Sequence, residues 1–326
     1  MIYAEAGVDL GAAAENVRRI AQHVRSTHGP QVLGQFGAFA GLFQLPPIKN
    51  PVLVASTDGL GTKALLGAQL GRYAVLGRDL VNLSVNDVLT AGARPLFFLD
   101  YVGVPGLDHR VIEELVGGMA DACRENECAL LGGETAQLPE LYRAGQFDLV
   151  GTVVGVVERG HIVDGSTLEP GDRVWGLPST GLHTNGYTLA RRIVAQRRLR
   201  LDEDPDGRLG QSLGDALLAP HPTYYPALRT ILAQTRAIAH ITGGGLVGNI
   251  PRVLPQNMSV ELDWGAWPVP PIFGFLEDLG GIAWEEMLRV FNLGLGLVFV
   301  AAAECPGAIE VGRVVPRVTE RVIVRR

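Results

Sequence analysis

The spacing of apolar residues predicts regular helices and strands through the first half of the chain. From Leu76 through Leu80 and Leu83 to Val88, apolar residues recur at the spacing of one helix face. Short apolar runs, such as residues 51–55, are typical of buried strands. The pattern predicts helices at 12–27, 73–93 and 108–125 and strands at 52–56, 96–104, 128–131 and 148–157.

The second half mixes both kinds of element. Its pattern predicts helices at 186–197, 223–234, 246–253 and 269–279 and strands at 173–177, 259–262, 295–303 and 309–315. Because helices and strands do not alternate strictly, we predict an α+β protein. The turn Glu169-Pro170-Gly171-Asp172 opens the second half, so we expect two domains, 1–168 and 169–326.

The segment Ser56-Thr57-Asp58-Gly59-Leu60-Gly61-Thr62-Lys63 follows a predicted strand and carries candidate chemistry. We expect a tight turn here, in which glycine N–H groups suit phosphate oxygens, Lys63 adds positive charge and Asp58 can hold Mg²⁺. The spacing differs from that of the Walker phosphate loop. Taken alone, the octapeptide is also explained by an ordinary capped turn between a strand and a helix.

The predicted helix at 73–93 carries four polar residues, Asp79, Asn82, Asn86 and Asp87, within its apolar pattern. Asn82 and Asn86 are four residues apart and share a face with Asp79. A solvated helix face would explain them. However, Asn and Asp are poor helix formers, so several in one helix also indicate ligation of a metal or of phosphate-bound water.

Two further segments combine glycine with polar residues. Gly132-Gly133-Glu134-Thr135 follows a short apolar strand, and Thr242-Gly243-Gly244-Gly245 precedes a predicted helix. Glycines before a helix N-terminus can form an anion-binding nest. A turn with an exposed Glu134, and a flexible hinge at the glycine triplet, are the alternative interpretations.

In this order along the chain, these segments resemble the phosphoribosylformylglycinamidine cyclo-ligase family of purine biosynthesis, also called aminoimidazole ribonucleotide synthetases. The resemblance covers almost the whole chain. It is supported by the segments Ala6-Gly7-Val8-Asp9, Pro95-Leu96-Phe97-Phe98-Leu99-Asp100-Tyr101, Ser179-Thr180-Gly181-Leu182-His183-Thr184-Asn185-Gly186-Tyr187, Ala239-His240-Ile241-Thr242 and Met287-Leu288-Arg289-Val290-Phe291-Asn292.

The resemblance implies an ATP-dependent ring closure with Mg²⁺. ATP phosphorylates the formyl-amide oxygen of formylglycinamidine ribonucleotide, an amidine nitrogen attacks that carbon, and phosphate leaves as the imidazole ring of aminoimidazole ribonucleotide closes. It also implies a homodimer in which the N-terminal domains together close a β-barrel near the nucleotide sites, while the C-terminal domain is a mixed sheet with helices. We expect a charge on the strand 96–104, for example at Phe98, to cost assembly and activity.

The resemblance also implies the site residues. Asp58, Asp87 and Glu134 are expected to bind metal, and His183, Lys63 and Asp58 to act in catalysis. ATP is expected to contact Gly37 in a glycine-rich loop and Asp58, Gly59, Gly61, Thr62, Lys63, Asp79, Asn82, Gly132, Gly133, Glu134 and Thr135. The ribonucleotide is expected to contact His183, Asn185, Gly186, Thr242, Gly243, Gly244 and Gly245. His240 is interpreted as strand packing, and either the glycine triplet or the turn before Gly186 could hold the 5′-phosphate.

Two departures from the family pattern are visible. Leu293 follows Asn292 where the family often has a cysteine, so we expect no essential thiol there. Only five residues, 304–308, separate the last two predicted strands, where the family usually has room for a helix.

Composition and charge argue against several classes of protein. The net charge is −6 without a basic stripe, which disfavours nucleic-acid binding. The longest apolar run, 293–303, is too short to span a bilayer, and the acidic residues Glu5 and Asp9 do not fit a signal peptide. Three cysteines, an odd and sparse number, suit a reducing compartment, so we expect a cytoplasmic enzyme.

Related ATP-using enzymes are the nearest alternatives. Selenophosphate synthetase would need a reactive cysteine early in the chain, but the first cysteine is Cys123. A hydrogenase-maturation relative would need a C-terminal cysteine, but the chain ends Val324-Arg325-Arg326. Thiamine-phosphate kinase lacks the Phe-Phe-Leu-Asp-Tyr and His-x-Asn-Gly-Tyr segments. An inactive regulatory dimer would be expected to lose an acid, whereas all three are present.

Overall fold

A computed structural model of the protein describes residues 9–317 and 319–326. The family-like residues Ala6-Gly7-Val8 lie outside the described residues. The chain divides into two compact units. The first comprises residues up to Val88 together with Arg94–Arg159, and the second comprises Leu89–Ala93 with Gly160–Arg326. Each unit combines helices with a β-sheet, so the prediction of a two-domain α+β protein is confirmed.

The first unit contains a four-stranded sheet and four longer helices among its described residues. The elements of this unit are α1 Leu10–Arg25, β1 Val32–Leu33, β2 Leu42–Phe43, β3 Pro51–Gly59, α2 Lys63–Leu70, α3 Tyr73–Leu89, β4 Arg94–Val104, α4 His109–Glu125, β5 Ala129–Gln137 and β6 Asp148–Glu158. In the four-stranded sheet β4 pairs parallel to β5, while β6 pairs antiparallel to both β3 and β4, in the order β3-β6-β4-β5. The short strands β1 and β2 form a separate hairpin.

Local sequence explains where two of these helices begin. The carboxylate of Asp9 accepts hydrogen bonds from the backbone N–H groups of Gly11 and Ala12, and Asp108 caps α4 in the same way. Such caps satisfy N–H groups that have no partner within the helix. Along α4 the apolar residues Ile112, Leu115 and Met119 are buried, which gives the helix its core-facing side.

Helices α3 and α4 approach each other closely at glycines. A Cβ atom at Gly77 would lie 2.0 Å from the carbonyl oxygen of Leu115, and one at Gly118 would lie 2.0 Å from the carbonyl oxygen of Ala74. Only glycine allows this backbone contact, because an added methyl group would overlap the facing helix. The contact fixes α3, which carries the polar residues singled out by sequence.

We expect Gly77→Ala to lower the free energy of unfolding by about 2–3 kcal/mol, because the methyl group forces the two helices apart. Urea denaturation followed by circular dichroism measures the change. Gly117→Ala is a matched control: its Cβ would lie 3.5 Å from the nearest atom, in the ring of His23, and alanine favours a helix over glycine. Equal effects of the two substitutions would contradict the steric argument.

The second unit is built on a six-stranded sheet. The elements of this unit are β7 Arg173–Pro178, α5 Tyr187–Gln196, α6 Leu213–Leu217, α7 Tyr225–Leu228, β8 Thr235–His240, α8 Gly245–Asn249, β9 Met258–Asp263, α9 Pro271–Gly280, α10 Trp284–Val290, β10 Leu295–Ala301, β11 Ile309–Pro316 and β12 Val322–Arg325. The strands lie in the order β12-β9-β11-β7-β10-β8, and neighbours are antiparallel except for the parallel pair β9 and β12. All seven residues of β10 are buried.

The core of this unit is made by side chains of the sheet and of the segment around α8. Leu246 and Ile250 pack with buried strand residues such as Val260, Val298 and Val311. Residues 302–308, between β10 and β11, form turns and bends rather than a helix. Within the described residues, no helix is both long enough and apolar enough to cross a bilayer.

Several predicted elements differ from the structure. Strand β3 extends to Gly59 and β5 extends to Gln137, so Asp58, Gly132, Gly133 and Glu134 lie within strands rather than in turns. The predicted helix at 223–234 is wrong. Only Tyr225–Leu228 is α-helical there, and a short 3₁₀ helix follows at Leu232–Gln234. The β-branched residues Thr230 and Ile231 at the interruption are poor helix formers.

Candidate active site

The first unit contains a cavity of about 900 Å³ that collects several of the predicted nucleotide-binding residues. Its walls include Gly37 from the glycine-rich loop and the β5 segment Gly132–Thr135. Gly37 has a φ of 94°, a conformation that favours glycine. The volume falls within the usual range for small-molecule sites. The structure therefore brings these two predicted segments together at one cavity.

Asp100 is a residue of this cavity that sequence reasoning missed. It lies opposite Gly133 in the parallel pairing of β4 with β5, and a Cβ at Gly133 would lie 2.2 Å from its carboxylate. Burial raises the pKa of Asp100 to about 7, and the negative charge of Glu134 adds to this rise, whereas a hydrogen bond from its own backbone opposes it. The signal in the sequence was the pair of glycines, which marks a close approach by another group.

Asp58 and Asp87 are brought to the same side of β3. Ser56 and Asp58 are two residues apart on this strand and therefore share a face. The hydroxyl of Ser56 donates to the carboxylate of Asp87 at 3.0 Å, which places α3 against this face. Carboxylate and hydroxyl oxygens are the ligands that Mg²⁺ prefers, so this donor set fits the expected ion.

Lys63 and Asp79 form an ion pair in the interior of the first unit. The Lys63 ammonium lies 2.5 Å from the Asp79 carboxylate, and both side chains are fully buried. Burial lowers the pKa of Lys63, and the negative charge of Asp79 opposes this shift. In this structure Lys63 neutralises a protein carboxylate, whereas the sequence had placed it against phosphate.

Asn82 also faces the protein interior. Its side-chain oxygen accepts a hydrogen bond of 2.8 Å from the amide of Asn126, which follows α4. Asp79, Asn82 and Asn86 are all buried, so the alternative of a solvated helix face is wrong. Asp79 and Asn82 instead form buried pairs, with Lys63 and with Asn126 respectively.

Glu134 lies apart from the two aspartates within one chain. Strand β5 is separated from β3 by β6 and β4. Three strand spacings correspond to about 14 Å. Asp58 and Asp87 therefore lie near the β3 edge of the sheet and Glu134 lies at the β5 edge, and their joint assignment to one metal stays a prediction.

In the second unit, the loop before α5 meets the glycine triplet. A Cβ at Gly243 would lie 3.2 Å from the side-chain oxygen of Asn185. Gly186 begins α5 with a φ of 78°, and the triplet leads into the short helix α8. The amide of Asn249 holds the triplet by donating to the carbonyl oxygens of Thr242 and Gly245. Two of the predicted substrate segments thus lie side by side.

The side chain of Asn292 holds the loop before α5 in place through buried hydrogen bonds. Its amide donates to the carbonyl oxygen of Gly181 at 2.8 Å, while its side-chain oxygen accepts from Ser179 at 2.7 Å and from the backbone of Gly294 at 3.0 Å. All these bonds are buried. They give the Phe-Asn segment a structural role that does not require the cysteine missing at position 293.

His183 is fully buried in this structure. Its ring packs against His221, and the ring of His221 contacts His240 at the end of β8. No part of the His183 side chain reaches the surface, and its ring contacts the rings of His221 and Tyr224. His221 was missed by sequence reasoning, and the interpretation of His240 as strand packing was incomplete.

Comparison with known proteins places the chain in a family. Residues 40–157 match the N-terminal domain, and residues 169–324 the C-terminal domain, of AIR synthase related proteins. Together these matches cover most of the chain. The chain belongs to the AIR synthase related family.

Several curated proteins similar to this chain over most of its length are phosphoribosylformylglycinamidine cyclo-ligases. The phosphoribosylformylglycinamidine cyclo-ligase of Myxococcus xanthus is 48% identical over 307 residues, which cover 93% of this chain and 89% of the relative. The enzyme of the same name from Geobacillus thermodenitrificans is 47% identical, with 93% and 88% covered. The alignment thus extends through both units rather than through a single motif.

Solved structures with a similar fold include proteins of other names. Thiamine-monophosphate kinase from Stenotrophomonas maltophilia has a TM-score of 0.67 at 22% identity, covering 94% of this chain and 95% of the kinase. The hydrogenase maturation protein HypE in complex with ATP has a TM-score of 0.63 at 19% identity, covering 94% and 90%. At these identities the likeness shows the fold alone.

Proposed function

We propose that this protein is a phosphoribosylformylglycinamidine cyclo-ligase, which uses ATP to close formylglycinamidine ribonucleotide into aminoimidazole ribonucleotide, with ADP and phosphate as the other products. The observation that carries the proposal is the 48% identity over 93% of the chain to a curated enzyme of this name. The order of the polar segments supports it, since Asp58, Asp87, Glu134 and the His183–Gly186 segment are all present. A cytoplasmic location stays a prediction.

The first unit binds ATP. The cavity beside Gly37 and β5 accommodates the nucleotide, because its volume of about 900 Å³ suits a ligand of this size. Asp58 and Asp87 hold Mg²⁺, with the Ser56 hydroxyl beside them. When bound, Mg²⁺ neutralises charge on the phosphate oxygens during phosphoryl transfer. Lys63, buried against Asp79, fixes the start of α2 directly after the glycine turn.

The second unit binds the ribonucleotide. Asn185, Gly186 and the triplet Gly243–Gly245 form the contact surface, because Asn185 lies beside Gly243. Backbone N–H groups near glycines suit a phosphate group. Direct proton transfer by His183 stays a prediction, since its buried ring would have to become accessible to reach a substrate.

A second copy of the chain completes the metal site. Within one chain, Glu134 is at the β5 edge of the sheet and Asp58 is at the β3 edge. Among the described residues no further strand pairs with either edge of the four-stranded sheet. In a dimer that pairs the β5 edge of one copy with the β3 edge of the other, Glu134 of one copy would approach Asp58 of the other. The homodimer expected from the resemblance thereby acquires a specific role in catalysis.

The direct test is an assay of the purified protein with ATP, Mg²⁺ and formylglycinamidine ribonucleotide. Formation of aminoimidazole ribonucleotide with one ADP per turnover is expected. Thiamine monophosphate serves as the matched alternative substrate, because a thiamine-monophosphate kinase has the same fold. Phosphorylation of thiamine monophosphate without ring closure would overturn the proposal.

The three cysteines are expected to be dispensable for this reaction. All three are buried, and burial raises the pKa of Cys305 to about 11 and that of Cys123 well above its usual value. Thiols that stay protonated near neutral pH are poor nucleophiles. Combined replacement by Cys123→Ala, Cys128→Ala and Cys305→Ser should leave kcat within about threefold of wild type, as for substitutions outside the chemistry. A folded but inactive triple variant would contradict this.

A further inference from the structure

Three histidines from separate segments meet in the interior of the second unit. His183 belongs to the loop before α5, His221 lies between α6 and α7, and His240 ends β8. All three are buried, and each offers a ring nitrogen within 4.8 Å of the others. Their positions in the sequence, 38 and 19 residues apart, gave no local signal of this cluster.

His221 is the central member. Its ring stacks on His183, with 4.1 Å between centroids and 19° between planes. Its Nε2 atom lies 3.2 Å from Nε2 of His240. Two imidazole nitrogens can form a hydrogen bond only when one carries a proton and the other accepts it, so a single proton occupies this contact. The Thr184 hydroxyl lies 3.5 Å from the other ring nitrogen of His221.

The surrounding structure makes room for this stack. A Cβ at Gly296 of β10 would lie 1.8 Å from the Tyr224 hydroxyl and 2.4 Å from Cε1 of His183. His183 itself has a φ of 62°, which is uncommon for a residue other than glycine. Conformations of this kind persist where the surrounding structure holds them in place. The position of the His183 ring is therefore fixed by its neighbours.

A metal ion is the obvious alternative occupant of three histidines. The lone pair of an imidazole nitrogen lies in the plane of its ring. Because the rings of His183 and His221 are stacked nearly parallel, their lone pairs do not converge on one point between them. The geometry is that of a hydrogen-bonded and stacked cluster rather than that of a tetrahedral zinc site.

We propose that His221 is a positioning residue for the ring-closing reaction, an inference that rests on the proposed function. Through its stack with His183 and its hydrogen bond to His240, it joins the loop that carries Asn185 to the strand that leads into the glycine triplet. These are the two segments that meet where Asn185 approaches Gly243. His221 thus sets the spacing of the ribonucleotide-binding surface without touching the substrate.

Two substitutions separate the hydrogen bond from the stack. His221→Phe keeps a flat ring against His183 but loses the bond to His240, whereas His221→Gln keeps a polar group near the position of Nε2. We expect His221→Phe to lower kcat/KM for the ribonucleotide about tenfold or more, as for a lost buried hydrogen bond. The KM for ATP should stay unchanged, and His221→Gln should stay within about threefold of wild type. His161→Phe, at an exposed histidine of the same unit, is the control.

Nitrogen-15 NMR of histidine-labelled wild-type protein tests the contact without any substitution. We expect one protonated and one bare Nε2 for His221 and His240 at neutral pH, and no stoichiometric zinc by elemental analysis. Two protonated nitrogens, bound zinc, or equal losses in the Phe and Gln variants would overturn the inference. A wild-type protein that shows the expected NMR signals but no ring closure would instead refute the proposed function.

Discussion

Asp58→Asn should reduce turnover at least about a hundredfold while leaving the fold intact, the loss expected when stabilisation of transition-state charge is removed. Asp58 is half-buried on β3, on the face where Ser56 binds Asp87. Its carboxylate accepts a hydrogen bond of 2.7 Å from the backbone of Gly59, and an amide oxygen can accept the same bond. The substitution therefore removes mainly the negative charge that would bind Mg²⁺.

The measurement is steady-state kinetics across a range of Mg²⁺ concentrations, together with thermal unfolding. Asp121→Asn is the matched control, since this exposed residue of α4 pairs only with nearby Arg124 among the ion pairs described for it. The control should keep wild-type turnover. Near-normal turnover of Asp58→Asn at saturating Mg²⁺ would refute the assignment of Asp58 to the metal site.

Helix α4 of the first unit could be predicted closely because its signals are local, whereas α2, Lys63–Leu70, was not predicted. The predicted helix at 108–125 differs from α4 by one residue, since Asp108 provides the cap and the apolar spacing defines the buried face. The strand predicted at 148–157 likewise matches β6, which ends at Glu158. Periodicity and capping act over a few residues, so a single sequence contains them.

Glycines were harder to interpret. The pair Gly132-Gly133 and the glycines after Asp58 were assigned to turns, yet Gly59, Gly132 and Gly133 lie in strands. At Gly133 the missing side chain makes room for Asp100 of the neighbouring strand. A strand glycine that leaves room for a side chain of the neighbouring strand cannot be told in sequence from a glycine that permits a turn. The neighbouring strand is distant along the chain, so nothing beside the glycine in the sequence indicates it.

The candidate active site, too, could be predicted from the sequence only in part. The sequence order of acids, glycines and His183 was sufficient to indicate the family, and the family matches confirm it. The sequence did not indicate that Lys63 is buried against Asp79, or that His183 belongs to a cluster with His221 and His240. Burial and pairing depend on tertiary packing, which residue types in order do not specify.

The surface expected to join two copies of the chain also has to be revised. The sequence led us to expect that a charge on the strand 96–104 would cost assembly, but β4 lies between β6 and β5 and Phe98 is fully buried. A charge at Phe98 would therefore damage the core of the first unit and would not test association. The exposed apolar residues of the sheet, Leu53 of β3 and Leu99 of β4, are on the face opposite Ser56, Asp58 and Phe98.

Leu53→Asp should dissociate the proposed homodimer and abolish most activity without unfolding the chain. Leu53 is 63% exposed in the single chain, so a charge there costs the monomer little. In a dimer whose sheets close into a barrel, this side chain would be buried, and burial of a leucine contributes about 2 kcal/mol per subunit. The Leu53→Asp dimer loses this free energy of burial in both subunits and must also bury two aspartate charges. The dissociation constant of the dimer should therefore rise by more than about a hundredfold.

Analytical ultracentrifugation over a concentration series measures the association, and ring-closing activity is assayed on the same samples. Leu141→Asp is the matched control, because Leu141 is a 72% exposed leucine in the β5–β6 connection of the same unit. If Glu134 of one copy completes the metal site of another, activity should fall in parallel with the dimer fraction. A wild-type protein that sediments as a fully active monomer at assay concentration would exclude a shared site, and an active monomeric Leu53→Asp would do the same.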